Sequence, residues 1–288
     1  MLKTLTVITK TGTPLTGRIF KHPHAQTVVI LVTGIEGNIQ NNPFYTVIGK
    51  KLTASGIDLI VVHTRDAFNQ TNVFNQLTGQ REVYGSFNED FQDTNGDVGA
   101  YLDYAVAAGY QSIILGGQSL GANKVIHFLA DHPEAPVDKF LLMSPVNVDV
   151  LRRNISYRQR AVIKQRLADG RANQRLPFNL FRWLSSTALT AHRWLTDDTL
   201  NNVHPGQQGD FSQLRRINYT GALLIGTRDH FTGGSPVHYL ANINSYLPTA
   251  ADNKLIYIQH AGHIYRQREN VVADKILALL TKWVKDKA

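Results

Sequence analysis

The chain has 288 residues and no cysteine, which excludes disulfides, thiolate catalysis and cysteine-ligated metals. Its hydrophobic and charged fractions, 43% and 18%, are ordinary for a globular protein, and the length suits one large α/β domain with an insertion. The net charge of +8 is uneven: residues 146–218 carry eleven Arg and one Lys against five Asp and no Glu, so one segment holds nearly all of the imbalance.

The first residues read as strands. LKTLTVITK (2–10) alternates, and LTGRIFKH (15–22) follows the turn signal Thr11-Gly12-Thr13-Pro14, so a hairpin is predicted. No long apolar core stands behind a basic start, and no run approaches the ~18 apolar residues of a membrane span. No signal peptide is expected, and a cytoplasmic location is. TVVILVTG (27–34) is a β-branched run of the kind buried on both faces of a sheet. A helix follows, with Asn42 as cap, Pro43 at its first position and Gly56 ending it. IDLIVVHT (57–64) is another buried strand, and a polar Asn- and Gln-rich loop covers roughly 65–90. Residues 90–109 read as an amphipathic helix, 112–117 as a strand, and LGANKVIHFLADH as a helix stopped by Pro133. Further strands fall at 139–145, 221–227 and 254–260, and a last helix carries Val272, Ile276, Leu280 and Trp283 on one face.

Strands alternating with helices predict a mainly parallel sheet covered on both faces. About 75 residues between Pro145 and Gly221 lack a strand signal, too many for a structureless loop. The predicted organisation is therefore a core of 1–145 and 219–288 with a helical, Arg-rich insertion at 146–218. SYRQRAVIKQRLADG and FNLFRWLSSTALTAHRWL read as its helices.

Gly117-Gln118-Ser119-Leu120-Gly121 lies where the strand SIIL gives way to the helix NKVIHFL. Gly-x-Ser-x-Gly arises by chance in roughly a tenth of chains this long, so the context decides. A serine at a sharp strand-to-helix turn is exposed as a nucleophile, above free helix N–H groups that favour developing negative charge. The flanking glycines allow strand and helix to pass closely. A serine hydroxyl needs a base, and the base an orienting acid. At such elbows the acid and then the histidine follow in the chain. Asp229, just past strand 221–227, is the favoured acid, with Asp149 and Asp210 as rivals. His263, after Gly262, is favoured over His260 at the strand end. The backbone N–H groups of Ile35 and Leu120 are the candidate oxyanion donors. Glu36 is a puzzle, because a carboxylate beside an oxyanion raises the barrier; its side chain is expected to point away from Ser119, with a salt bridge as one option.

Through GGQSLGANK, VTGIEGN, GTRDHF and HAGHIY, in order, the chain resembles the α/β-hydrolase superfamily over nearly its whole length. NNPFY, GSFNEDFQD, SLGANKVIHFL and LLMSPVNVD further resemble small bacterial esterase-like proteins related to fungal siderophore-esterase-like hydrolases. The resemblance implies an eight-stranded α/β-hydrolase fold, a Ser119-Asp229-His263 triad, a lid formed by the insertion, and no metal or cofactor. Two positions depart from it: Thr33-Gly34 stands where the family often has His-Gly, and Gln118 where it often has His. Both change the pocket beside the serine.

In the insertion, Phe178, Phe181, Trp183 and Trp194 either pack the lid onto the body or, with Gln118, line a substrate pocket. The arginines are either solvated or face the cleft and attract an anionic substrate; contact with anionic lipid or nucleic acid is a further alternative. No nucleic-acid module is recognisable. The expected function is hydrolysis of a small carboxylic ester by a serine esterase. Acyl transfer or amide cleavage by the same triad, and a non-catalytic ligand-binding protein, are the alternatives. The sequence leaves the oligomeric state open.

Overall fold

The β-branched and amphipathic runs become alternating strands and helices in a computed structural model that describes residues 1–287. Ten strands form: β1 (Leu2–Ile8), β2 (Pro14–Phe20), β3 (Thr27–Val32), β4 (Ile57–Val62), β5 (Thr71–Phe74), β6 (Arg81–Tyr84), β7 (Ser112–Gln118), β8 (Lys139–Met143), β9 (Gly221–Gly226) and β10 (Lys254–Ile258). Eight make one sheet in the order β1-β2-β4-β3-β7-β8-β9-β10. β1 pairs antiparallel with β2, and β2 with β4; every other pairing is parallel. The expected mainly parallel eight-stranded sheet is therefore present.

The helices are α1 (Pro43–Ala54), α2 (Thr94–Ala107), α3 (Leu120–Asp131), α4 (Val148–Arg152), α5 (Tyr157–Ala168), α6 (Ala188–Thr196), α7 (Pro236–Ser245) and α8 (Glu269–Lys287). The sheet separates two apolar cores. Val28, Ile30 and Val32 of β3 face the core shared with α2, α3 and α7, while Val29 and Leu31 face the one shared with α1 and α8. This period-2 division explains why β3 and β4 carry apolar side chains on both faces, apart from Thr27 and the buried Asp58 near their starts. Register aligns the carboxyl ends: Val32 pairs with Gly117, Gln118 with Met143, and Gly226 with Ile258. The turns after β3, β7, β9 and β10 thus open on one edge, where ligands bind in open α/β sheets. Among the described residues no helix is long and apolar enough to cross a membrane.

Three elements depart from the sequence reading. The polar loop contains the β5–β6 hairpin, whose strands are too short and polar to show an apolar period. α7 went unpredicted, although Ser235 caps it and Pro236 opens it. In FNLFRWLSSTALTAHRWL only the second half is helical. Phe181 and Arg182 adopt left-handed φ of 54° and 75°, closing a tight turn with Leu180 and Leu184 bonded across it. Thr187 then caps α6 by accepting from the Thr190 N–H.

Residues 146–218 contain α4, α5 and α6 and build a third apolar cluster that also includes Phe91 and Leu120. A capping box, Ser156 with Gln159, starts α5, and only Ile163 of that helix is buried. Its arginines therefore spread around solvent-facing sides.

α3 is buried from Leu120 to Ala130, and Lys124 is only 2% exposed. Lys124 Nζ lies 2.5 Å from Asp66 Oδ1, 3.0 Å from Thr64 Oγ1 and 3.8 Å from Glu89 Oε1. Burial, and then the neighbouring Asp66, push the Glu89 carboxyl well above the usual carboxylate range. Glu89 Oε2 accepts from Trp194 Nε1 at 3.3 Å, so the cluster joins α3 to α6. Removing one member of such a buried pair strands the other. Lys124→Met is expected to lose about 3–5 kcal/mol, a fall in thermal midpoint on the order of 10 °C. An unchanged midpoint in thermal denaturation would contradict the pairing.

Candidate active site

The turn from β7 into α3 is as sharp as its glycines permit. A Cβ on Gly117 would lie 2.1 Å from the Gly121 carbonyl oxygen, and one on Gly121 would lie 2.2 Å from that of Val32. Ser119 sits between them at φ 60°, a conformation that L residues adopt only under constraint. Its N–H is held by the Met143 carbonyl at 3.0 Å. The side chain is thereby thrust out at the carboxyl edge of the sheet.

His263, in the turn after β10, meets it there. Ser119 Oγ and His263 Nε2 are 2.8 Å apart, and His263 Nδ1 is 2.8 Å from Asp229 Oδ2. Asp229 follows β9 and is 3% exposed. Its other oxygen, Oδ1, accepts from the Phe231 N–H at 2.9 Å. Burial by itself would raise the Asp229 carboxyl. The His263 ring, its hydrogen bond, the Phe231 N–H and the Ser144 hydroxyl outweigh burial and hold the group below its ordinary value. Asp229 is therefore ionised at neutral pH and fixes the histidine ring by accepting from Nδ1–H. The Phe231 ring also packs on the imidazole, with centroids 4.4 Å apart.

The rival residues lie elsewhere. Asp149 accepts from Asn201 and pairs with Arg152. Asp210 is bound by the backbone and hydroxyl of Ser212. His260 is exposed, on a left-handed backbone.

The turn after β3 packs against the serine: a Cβ on Gly34 would lie 2.8 Å from Ser119 Cβ. Gly37 N–H donates to the Gly34 carbonyl at 2.8 Å, closing the turn. Among the described residues, neither the Ile35 nor the Leu120 N–H has a hydrogen-bond acceptor within the chain. Glu36 forms no salt bridge there. Its Oε1 instead accepts from the Ser86 hydroxyl at 2.6 Å and the Asn69 amide at 3.2 Å, neutral donors supplied by the 65–90 segment.

A cavity of about 340 Å³ opens over Ser119. Its walls are mostly apolar, with Ile35, Val146, Leu151, Trp183, Trp194, Phe231 and Ile264, and Glu36, Asn41 and Asn42 add a polar stretch. Trp194 is 3% exposed, with its indole N–H turned away to Glu89, whereas Trp183 is 43% exposed. Phe181 supports both tryptophans, edge-on to Trp194 at 5.3 Å, and does not itself line the cavity. Phe178 packs on the third apolar cluster instead. Gln118 touches the cavity, but its amide is committed: Nε2 donates to the His263 carbonyl at 3.1 Å.

Among the described residues no Lys or Arg lines this cavity, and no cluster of three or more His, Asp or Glu is placed to hold a metal ion. Several arginines of 146–218 bind protein groups instead. Arg152 donates to the Trp194 and Asp197 carbonyls, Arg193 pairs with Asp90, and Arg175 stacks over Phe87 at 4.2 Å.

Lys124, Asp66, Glu89, Ser144 and Phe231 all escaped the sequence reading. Lys124 alone left a signal, since it shares an i, i+4 stripe with Leu120 and Phe128 and so sits on an otherwise apolar face.

No protein-family profile matches the sequence, and no curated protein matches it. Solved structures do. Est1E from Butyrivibrio proteoclasticus superposes with a TM-score of 0.67 at 11% identity, covering 98% of this chain and 99% of that one. The α/β hydrolase GrgF from Penicillium sp. sh18 gives 0.68 at 13% identity, with 98% of each chain covered. DcsB, solved with its substrate analogue, gives 0.72 at 13% identity, with 99% of each covered. The chain has the α/β-hydrolase fold.

The Gln118 bond gives the geometry a direct check. Gln118→Met keeps the volume and leaves the His263 carbonyl without its donor, which costs about 1–3 kcal/mol. The expected result is a thermal midpoint several degrees lower; an unchanged midpoint would show that this bond contributes nothing.

Proposed function

We propose that the protein is a serine hydrolase that cleaves a small, uncharged carboxylic ester through an acyl-enzyme. The observation that carries this reading is the unbroken hydrogen-bonded chain from Ser119 through His263 to Asp229, set at the floor of an apolar cavity. His263 Nε2 takes the serine proton as Oγ attacks the ester carbonyl. The ring becomes an imidazolium, which Asp229 stabilises from the other side. The Ile35 and Leu120 N–H groups receive the oxyanion at the positive end of α3, where preorganised donors act most strongly. His263 then protonates the departing alkoxide. Water, activated by the same imidazole, attacks the acyl-enzyme and frees the acid and Ser119.

The cavity supports the substrate class. A volume of about 340 Å³ lies near the small end of the ~300–1,000 Å³ range of ligand sites. Its mostly apolar walls, with an acid (Glu36) and no Lys or Arg among the lining residues, suit an uncharged acyl group better than an anionic one. Residues 146–218 act as the lid, contributing Trp183 and Trp194 to the walls.

Turnover of short p-nitrophenyl esters tests the reading. Wild-type protein is expected to hydrolyse acetate and butyrate esters, and Ser119→Ala to fall to background. Asp229→Asn should lower kcat on the order of 10⁴-fold, while Asp149→Asn stays near wild type. Activity retained in Ser119→Ala would remove the serine from the chemistry, and a loss confined to Asp149→Asn would reassign the acid. Trp183 sets the outer wall. Trp183→Ala is expected to raise kcat/KM for a benzoate ester relative to acetate by about tenfold, the scale of a small change in an apolar pocket. A constant ratio would place Trp183 outside the acyl site.

A further inference from the structure

The carboxylate of Glu36 stands beside the oxyanion turn, and the N–H, the carbonyl and carboxylate oxygen Oε1 of this residue are all hydrogen-bonded. Its N–H donates to the Asp66 carbonyl at 2.8 Å, and its own carbonyl accepts from Asn41 Nδ2 at 2.6 Å. Its backbone is left-handed, with φ 51°. Such a conformation in a residue other than glycine costs on the order of 1–3 kcal/mol and persists only where its surroundings impose it. The carboxylate supplies that imposition. Ser86 and Asn69 both donate to Oε1, and Ser86 is fully buried, so this anchor is fixed in the body of the protein.

Asn69 has a second partner. Its Oδ1 accepts from Arg175 Nη1 at 3.3 Å, while Arg175 Nη2 donates to Gln70 and Nη1 also donates to Ser185. One asparagine therefore joins the lid segment to the residue that follows Ile35.

Resting on the hydrolase reading above, we propose that Glu36 is a positioning residue. Its anchored carboxylate holds the left-handed turn that aims the Ile35 N–H at the oxyanion, and Asn69 couples this aim to lid docking through Arg175. The anchor uses neutral donors, so its task is geometric. A carboxylate this near the oxyanion opposes developing negative charge, and the turn it holds is what it offers in return.

Three substitutions separate geometry from charge. Glu36→Gln removes the charge but keeps an oxygen for Ser86 and Asn69. Glu36→Ala removes the anchor, and Glu36→Gly removes it while tolerating left-handed φ. The Ala and Gly variants are expected to lose about 10²-fold in kcat, the scale of one oxyanion donor, with KM nearly unchanged. The Gln variant should match or exceed wild-type kcat, since it keeps the anchor and loses the opposing charge, and Arg175→Ala should fall between wild type and the Ala variant. Phenylboronic acid gives a second readout, because its tetrahedral adduct on Ser119 presents an oxygen to the same donors. Its inhibition constant should weaken in parallel with kcat in the Ala and Gly variants, a change that a purely structural role would not produce. Wild-type kcat in Glu36→Ala, a Gln variant as slow as Ala, or unchanged boronate affinity would each overturn the proposal while leaving the hydrolase intact. A wild-type protein inert toward esters would instead overturn the hydrolase reading and this proposal with it.

Discussion

The site depends on one steric constraint, the near-contact of β7, α3 and the end of β3 around Ser119. Gly117 and Gly121 leave no room for a Cβ, and Ser119 takes up the turn with a left-handed backbone. The parallel register then does the rest. Because β3, β7, β9 and β10 end on the same edge, the turn after β3, the serine, Asp229 and His263 converge without any long excursion of the chain. Strain at the elbow is held by the Met143 carbonyl and by a helix buried along nearly its whole length.

Around this edge lies a layer of polar bonds that fixes the converging turns. Gln118 holds the His263 carbonyl, Phe231 N–H holds Asp229, and Ser86 and Asn69 hold Glu36. The buried Lys124–Asp66 pair is part of the same layer, since Asp66 also accepts from the Glu36 N–H through its backbone. The Arg-rich segment joins in at Arg175 and, through Trp194, at Glu89. Its positive charge therefore serves largely to bind protein carbonyls, acids and an aromatic ring. An uneven charge distribution in a sequence can thus record how a segment docks.

The parallel core was legible because its residues obey strong periodic rules. β3 and β4 are short runs rich in Val and Ile, and the glycines around Ser119 mark a strand-to-helix turn. Asp229 and His263 were legible as short polar interruptions just past apolar strands. What escaped was set by contacts between distant segments. Phe181 and Arg182 are neither Gly nor Asn, so their own residue types announce no left-handed pair, and the contact of Phe181 with Trp194, across the segment, shows only in the fold. The same holds for Glu36, whose partners Asn69 and Ser86 lie more than thirty residues away. A salt bridge was a fair expectation for a carboxylate read by itself; the neutral clamp is visible only in three dimensions.

On the reading proposed above, the elbow makes Ser119, among all the serines of the chain, the nucleophile. Reaction with a fluorophosphonate followed by peptide mapping by mass spectrometry tests it most directly. A single stoichiometric adduct is expected on the peptide containing Ser119, abolished when the protein is first unfolded. An adduct on any other residue, or none on the folded protein, would contradict it.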